Sequence, residues 1–339
     1  HLKNQVFINI LAADNCDPSI CYKYFGCAPL ESKYGSTSID TMSVIDDQDN
    51  VLVNTNDCPF ELSFTAATTL KEKYSKIDML LVGYTSASAY PQCFTLSEAE
   101  KIREKERMQQ DFLKKAENYV NLFEPNYFMP FAGRYTLAGK LAPLNDYRGV
   151  TELDDAFSYF TNSKNIDVEK SKCIILNPGS IFDTETGQPS EPYKKIDKIQ
   201  KQQYIQNVLA KRKLDYESEQ EPEIDEIKSL IGKCYERFER KRKELRFSSE
   251  TTVLIKLSSE EFLAISCNGN GWKIIKQKNI DNYKNYVKLS LDTRLLKWIL
   301  SGPRYAHWNV AENGSHITFE RTPNTYERGL YYCLAFFYA

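Results

Sequence analysis

Five apolar runs of strand length, each followed by polar or helical sequence, most narrowly limit what this chain can fold into. QVFINILA (residues 5–12), VLVNTND (51–57), IDMLLVGY (77–84), NYFMPFAG (126–133) and KCIILNPG (172–179) have the length and composition of buried strands. Helical pattern separates them around residues 63–74, from Ser97 to about Leu122, and over 152–161. Ser97 with Glu100 three residues on is a capping-box pattern, which sharpens the start of the second helix. TSIDTMSVID and NVLVNTND flank the turn-rich Asp47–Asn50, predicting an antiparallel hairpin whose second strand ends at Asn56 and Asp57 before Pro59 stops it. Strand and helix recurring in this order predict an α/β fold with layered sheet and helices.

The pattern changes after residue 190. Residues 191–247 form a charged helical segment, read as two helices broken at Pro222, and residues 248–339 alternate short β-like runs with helical RLLKWIL and GLYYCLAFFYA, a small α+β unit. Residues 1–190 then form the main layered portion. The charge runs of the middle segment read as solvated helix faces, with a docking surface as the alternative.

Composition removes several function classes. With 44 basic and 46 acidic residues, the net charge of −2 supplies no global field for a nucleic-acid backbone or an anionic bilayer. No apolar run approaches the roughly 20 residues of a membrane-spanning helix, and the first residues lack signal-peptide order. The nine cysteines are odd in number and scattered, which fits a reducing compartment better than a disulfide framework. A cytoplasmic location is therefore expected, without a membrane partner and without nucleic acid. Only His1, His307 and His316 supply imidazoles, so a zinc site built from several histidines cannot be assembled from this chain.

Candidate chemistry clusters at strand ends. Asp57, after a buried strand, is either a metal ligand or the cap of the helix that begins near Pro59. Asp14, Cys16, Asp17, Cys21 and Cys27 place hard and soft ligands close together, but the C-x4-C-x5-C spacing is no zinc-ribbon signature, and buried or hydrogen-bonded thiols are the simpler reading. The loop after IDMLLVGY carries Ser86, Tyr90, Gln92 and Cys93 next to Tyr84, where open sheets gather ligands. Arg134 follows the next strand and suits a phosphate or carboxylate, or an ion pair within the fold. Near the C-terminus RYAHWNVAENGSHITFER brings His307 and His316 into one polar, turn-rich stretch with Trp308 as a platform. The plainer alternative is that the imidazoles bond backbone in a connecting loop.

The runs VLVNTNDCPF, IDMLLVGYTSASAYPQCF, YFMPFAGRYTLAGKLAPLN and ILNPGSIFDTETG together resemble the C-terminal half of metallo-β-lactamase-fold proteins of the CMP-sialic-acid hydroxylase-like group, and HWNVAENGSH is similar to the terminal segment of bacterial members. The resemblance implies an αββα sandwich with metal ligands on loops at one edge, zinc or another divalent transition metal as cofactor, and Asp57 at the position of the bridging aspartate. A metal-bound hydroxide would be the nucleophile, over a pocket floored by the Thr85–Cys93 loop. The H-x-H-x-D-H motif of the family's first half is absent from this sequence, as are the cysteine and histidine ligands of the hydroxylase's Rieske cluster. The sandwich is thus expected to be incomplete at the N-terminus, with its other half lying upstream or in a partner protein, or with the site degenerated.

The resulting expectation is a metal-dependent hydrolase of an anionic small molecule, phosphoester or nucleotide. Asp57 would bind the metal, and Tyr84, Ser86, Tyr90, Gln92, Arg134, His307 and His316 would contact substrate. The alternative is a catalytically silent interaction or regulatory subunit that keeps the fold without the metal.

Overall fold

Short-range turn chemistry starts the first sheet. The computed structural model describes residues 6–12, 41–131 and 133–339. Strand β2 (Thr41–Asp46) and strand β3 (Val51–Asn54) pair antiparallel across a turn in which the Asp47 carboxylate accepts the amides of Asp49 and Asn50, and Gln48 takes φ +79°. This turn fixes Ile45 opposite Leu52, and strand β1 (Phe7–Ala12) adds antiparallel to the far side of β2. Strands β4 (Met79–Gly83), β5 (Tyr127–Phe131) and β6 (Lys172–Cys173) then continue parallel from β3, giving a six-stranded mixed sheet in sequence order.

Each parallel crossover carries a helix: α1 (Phe60–Lys73), α2 (Glu98–Phe123) and α3 (Leu153–Thr161). The capping box at Ser97 and Glu100 is formed, and it opens α2 where the sequence places it. Neighbouring positions Val44, Val53, Leu80 and Phe128 share one face of the sheet and are fully buried against Ala67 and Leu70 of α1, Ala116, Val120 and Phe123 of α2, and Ala156 and Phe160 of α3. The opposite face is treated differently. There Ile8 lies opposite Ile45, and both are exposed, as is Ile10 at 69%. A small hairpin, β7 (Phe182–Asp183) with β8 (Gln188–Pro189), covers only the Tyr127 end, where the Phe182 ring meets Tyr127 edge-on at 4.9 Å. Gly187 in its turn has φ +66°, and a Cβ there would come within 2.3 Å of the Tyr127 hydroxyl.

The run expected to form a strand over 172–179 pairs at only two residues. The Ile174 amide still donates to Phe128, but Pro130, two residues further along the same edge of β5, has no N–H to continue the ladder.

The second sheet has the order β11-β10-β9-β12-β13. Strands β9 (Thr252–Lys256), β10 (Glu261–Ser266) and β11 (Trp272–Lys276) form an antiparallel meander, β12 (Tyr286–Ser290) lies parallel to β9, and β13 (Thr318–Thr322) is antiparallel to β12. The charged middle segment is helical, as its pattern predicts, with α4 (Lys198–Asn207) and α5 (Ile224–Glu244) on either side of a break that contains Pro222. Along α5, Ile227, Ile231, Cys234 and Phe238 recur at helical spacing and are completely buried in the core of the second sheet. Helices α6 (Thr293–Ser301), α7 (Trp308–Asn313) and α8 (Arg328–Leu334) complete that core.

The connection from β4 to α2 joins the two sheets. Ala89, Cys93 and Phe94 enter the core of the second sheet; the Phe319 amide donates to the Cys93 carbonyl, the Thr95 amide donates to the Phe319 carbonyl, and the Phe94 and Phe319 rings stack at 4.9 Å. The C-terminal stretch read as a turn-rich loop contains instead a short helix and an edge strand. Trp308 is no platform: it is 2% exposed, and its indole N–H donates to the Phe337 carbonyl at 2.8 Å. No helix among the described residues is long and apolar enough to cross a membrane, and the six described cysteines are free thiols. The cluster of Asp14, Cys16, Asp17, Cys21 and Cys27 lies outside the described residues.

Candidate functional site

Asp57 sits in the exposed turn between β3 and α1. The residue in the N-cap position of α1 is Pro59, which offers no side-chain cap. Among the described residues, no three His, Cys, Asp or Glu side chains come together in a group able to hold a metal ion. Among the described residues, the donor set around Asp57 therefore does not fit the metal centre that the family resemblance implies, and no chemical step is derived through one.

The remaining predicted site residues separate into three places. Tyr84 and Arg134 both lie at the carboxyl edge of the first sheet, after β4 and β5, where the Arg134 charge acts on the Tyr84 hydroxyl. The turn into Arg134 is tight: Gly133 has φ +82°, and a Cβ there would lie 2.5 Å from the Thr85 methyl group. Arg134 pairs with Glu152 at 3.4 Å, so the internal ion pair considered from sequence is formed. Ser86 lies partly buried in the loop that follows.

Tyr90 and Gln92 belong to the connection between sheets. The Tyr90 ring packs edge-on against Phe94 at 5.0 Å. The Gln92 amide nitrogen donates to the Tyr135 hydroxyl at 3.2 Å and to the Ser315 hydroxyl at 3.1 Å, spanning from the first sheet's loop to the start of β13. His307 is the N-cap of α7: its Nδ1 accepts the Asn309 amide at 3.2 Å, the backbone role weighed for it from sequence. Burial lowers its pKa.

His316 lies elsewhere, on the wall of a cavity of about 640 Å³ between the two units. The cavity opens at the carboxyl ends of the parallel neighbours β9 and β12, bounded by Ser258 and Ser259 after β9, by Ser290 at the end of β12 and by Asp292 beyond it. Lys140, Leu141 and Leu144, from the 3-10 stretch Gly139–Tyr147 of the first unit, close the other side, and Lys256 adds a second ammonium at the rim. Leu257 and Leu291 contribute apolar wall.

The charges around this cavity are held in a network. Lys140 donates to Asp292 at 2.7 Å, lies 3.2 Å from Glu217, and sits 4.8 Å above the Tyr216 ring. Burial works against the Lys140 charge, but its bonds to Asp292 and Glu217 raise its pKa. Arg294 folds back on Asp292 through two nitrogens, and with Lys140 it holds that carboxyl far below the usual range despite burial. Burial, with the Lys140 charge, lowers the pKa of His316, so its imidazole is neutral near pH 7. Its Nδ1 is 3.1 Å from the Tyr216 hydroxyl, which leaves Nε2 as the ring's other functional atom. Gly314 makes room for this ring, since a Cβ there would approach the imidazole Cδ2 at 2.8 Å.

Sequence reasoning found His316 but missed Lys140, Lys256, Asp292 and the serines. The signals were present: two strand runs, TTVLIKL and YVKLSL, are followed directly by Ser258 and by Asp292, and Asp292 directly precedes a helix. What linear spacing does not reveal is that these two strands lie side by side and parallel. No protein-family model, curated protein or solved structure matches the chain.

Proposed function

We propose that the protein is a binding or regulatory protein for a small polar molecule carrying an anionic group, held in the cavity between the two sheets. The observation that supports this reading most is the convergence of a neutral imidazole, two ammonium groups and several hydroxyls at the carboxyl ends of two parallel strands, the place where open sheets bind ligands. The ammonium of Lys256 and the side chains of Ser258 and Ser259 would take the anionic group, His316 Nε2 a hydroxyl or amide, and Leu257 and Leu291 the apolar part. Lys140, already engaged by Asp292 and Glu217, would shape the cavity more than bind.

Thermal unfolding in the presence of AMP tests this. AMP is expected to raise the unfolding temperature saturably, and Lys256→Glu, an exposed change that spares the fold, should weaken it about tenfold, equal to about 1.4 kcal/mol. No response from the native chain, or equal affinity in the variant, would overturn the reading.

The first sheet favours a second reading. Helices on one face only, exposed Ile8, Ile10 and Ile45 on the other, and Asp57 in the turn after β3 are what half of a metallo-β-lactamase-like αββα sandwich would present. Hydrolysis of an anionic phosphoester or nucleotide would then need metal ligands beyond those described. Elemental analysis decides between the two: the binding reading expects no stoichiometric zinc, whereas stoichiometric zinc that is lost in Asp57→Ala would establish the hydrolase reading instead.

A further inference from the structure

The carboxyl edge of the first sheet holds a buried guanidinium with no counter-ion. Arg148, between the 3-10 stretch and α3, is 6% exposed, stacks on the Tyr135 ring at 5.0 Å, and donates through Nε to the Asn145 carbonyl at 3.3 Å. Its Nη1 is buried without a hydrogen-bond partner. Burial of a charged group in this state is costly unless an anion or well-placed acceptors compensate it. Two hydroxyls at the same edge are in this condition: those of Tyr84 and Thr151 are buried and unpartnered, and the two residues are 1% and 5% exposed.

One ion pair organises these groups. Arg134 and Glu152 act electrostatically on Tyr84, Arg148 and Tyr193 alike, Thr151 is the residue before Glu152, and its amide donates to the Thr85 hydroxyl at 3.3 Å. Glu152 is already taken by Arg134 and by Lys201 at 2.5 Å, so it is not free to neutralise Arg148. All three unpartnered groups can donate, and the guanidinium can do nothing else. Acceptors are what this edge lacks.

We propose that the carboxyl edge of β4 and β5 binds a small oxyanion, a carboxylate or a phosphate, whose oxygens accept from Arg148 Nη1 and from the hydroxyls of Tyr84 and Thr151. This site is separate from the cavity that His316 lines and draws on different residues. Tyr193, beside Asp154 and less buried, would close the entrance.

The test uses inorganic phosphate and acetate as separate probes of thermal unfolding, in the native sequence and in Lys256→Glu. A response from the cavity between the sheets shifts to about tenfold higher anion concentration in Lys256→Glu, while a response from this edge keeps its midpoint. Tyr84→Phe removes an oxygen that bonds nothing in the protein, so it should fold normally and be unchanged or slightly more stable without anion. It should nevertheless bind the favoured anion about tenfold more weakly, the scale of one hydrogen bond to a charged group. Arg148→Met should abolish the response, and Tyr84→Phe carries the test if that variant fails to fold. A saturable response to phosphate or acetate that keeps its midpoint in Lys256→Glu and falls in Tyr84→Phe supports the site. Absence of any response to both anions, or equal affinity in Tyr84→Phe, would overturn it.

Discussion

Phe238→Ala is expected to destabilise the protein by about 3–5 kcal/mol, the range for deleting a fully buried phenyl ring without collapse of the space it leaves. The side chain is completely buried, meets Phe337 edge-on at 6.2 Å and Tyr235 nearly parallel at 6.3 Å. The result bears on more than one side chain, because α5 is the most charged stretch of the molecule. A helix present only for docking would lose less than about 1 kcal/mol on such a change, as surface positions do. Chemical denaturation followed by tryptophan fluorescence reads the difference directly, and a loss of that smaller size would show α5 to be dispensable to the second core.

The second large effect is pH-dependent and concerns Glu312 in α7. Burial pushes this carboxyl up to about 7 from its ordinary 4.5, with the Arg321 charge only partly opposing. A folded-state pKa above the unfolded one means that the native state favours the proton. The associated stability is full below the unfolded value and is lost as pH rises through about 7. The difference corresponds to about 3 kcal/mol by pH 8. Glu312→Gln, which keeps the shape without the charge, should therefore match the native chain near pH 4.5 and exceed it by about 3 kcal/mol at pH 8. Equal pH profiles for the two proteins in calorimetry would show that the carboxylate is solvated or paired at neutral pH.

Legibility from sequence followed the range of the interactions involved. The turn of the first hairpin, the capping box of α2, the helix over 152–161 and the break at Pro222 depend on contacts within a few residues and fall where the residues put them, although β3 ends at Asn54, short of the expected Asn56 and Asp57. The strand expected over 172–179 is shorter in the structure because its length depends on Pro130 in another strand. Polar residues dominate His307 to Arg321 and suggest a turn-rich stretch, although Trp308, Ile317 and Phe319 face inward and make it helix and strand. Arg134 and His316 were recognisable by type. The partners that give them meaning, Glu152 for the one and Tyr216 with Lys140 for the other, lie far away in the chain and could not be paired from spacing. Nothing in sequence marks an arginine such as Arg148 as buried and without a carboxylate.

The connection that carries Phe94 onto Phe319 has a consequence for anyone dividing this chain. A fragment ending at residue 247 would keep every strand of the first sheet yet leave Ala89, Cys93 and Phe94 turned toward water, and the remaining fragment would lack the aromatic ring that seals β13. Expressed separately, the pieces should be sticky and poorly behaved, and mixing them should restore order in both. The chain has two layers of strands but no clean seam.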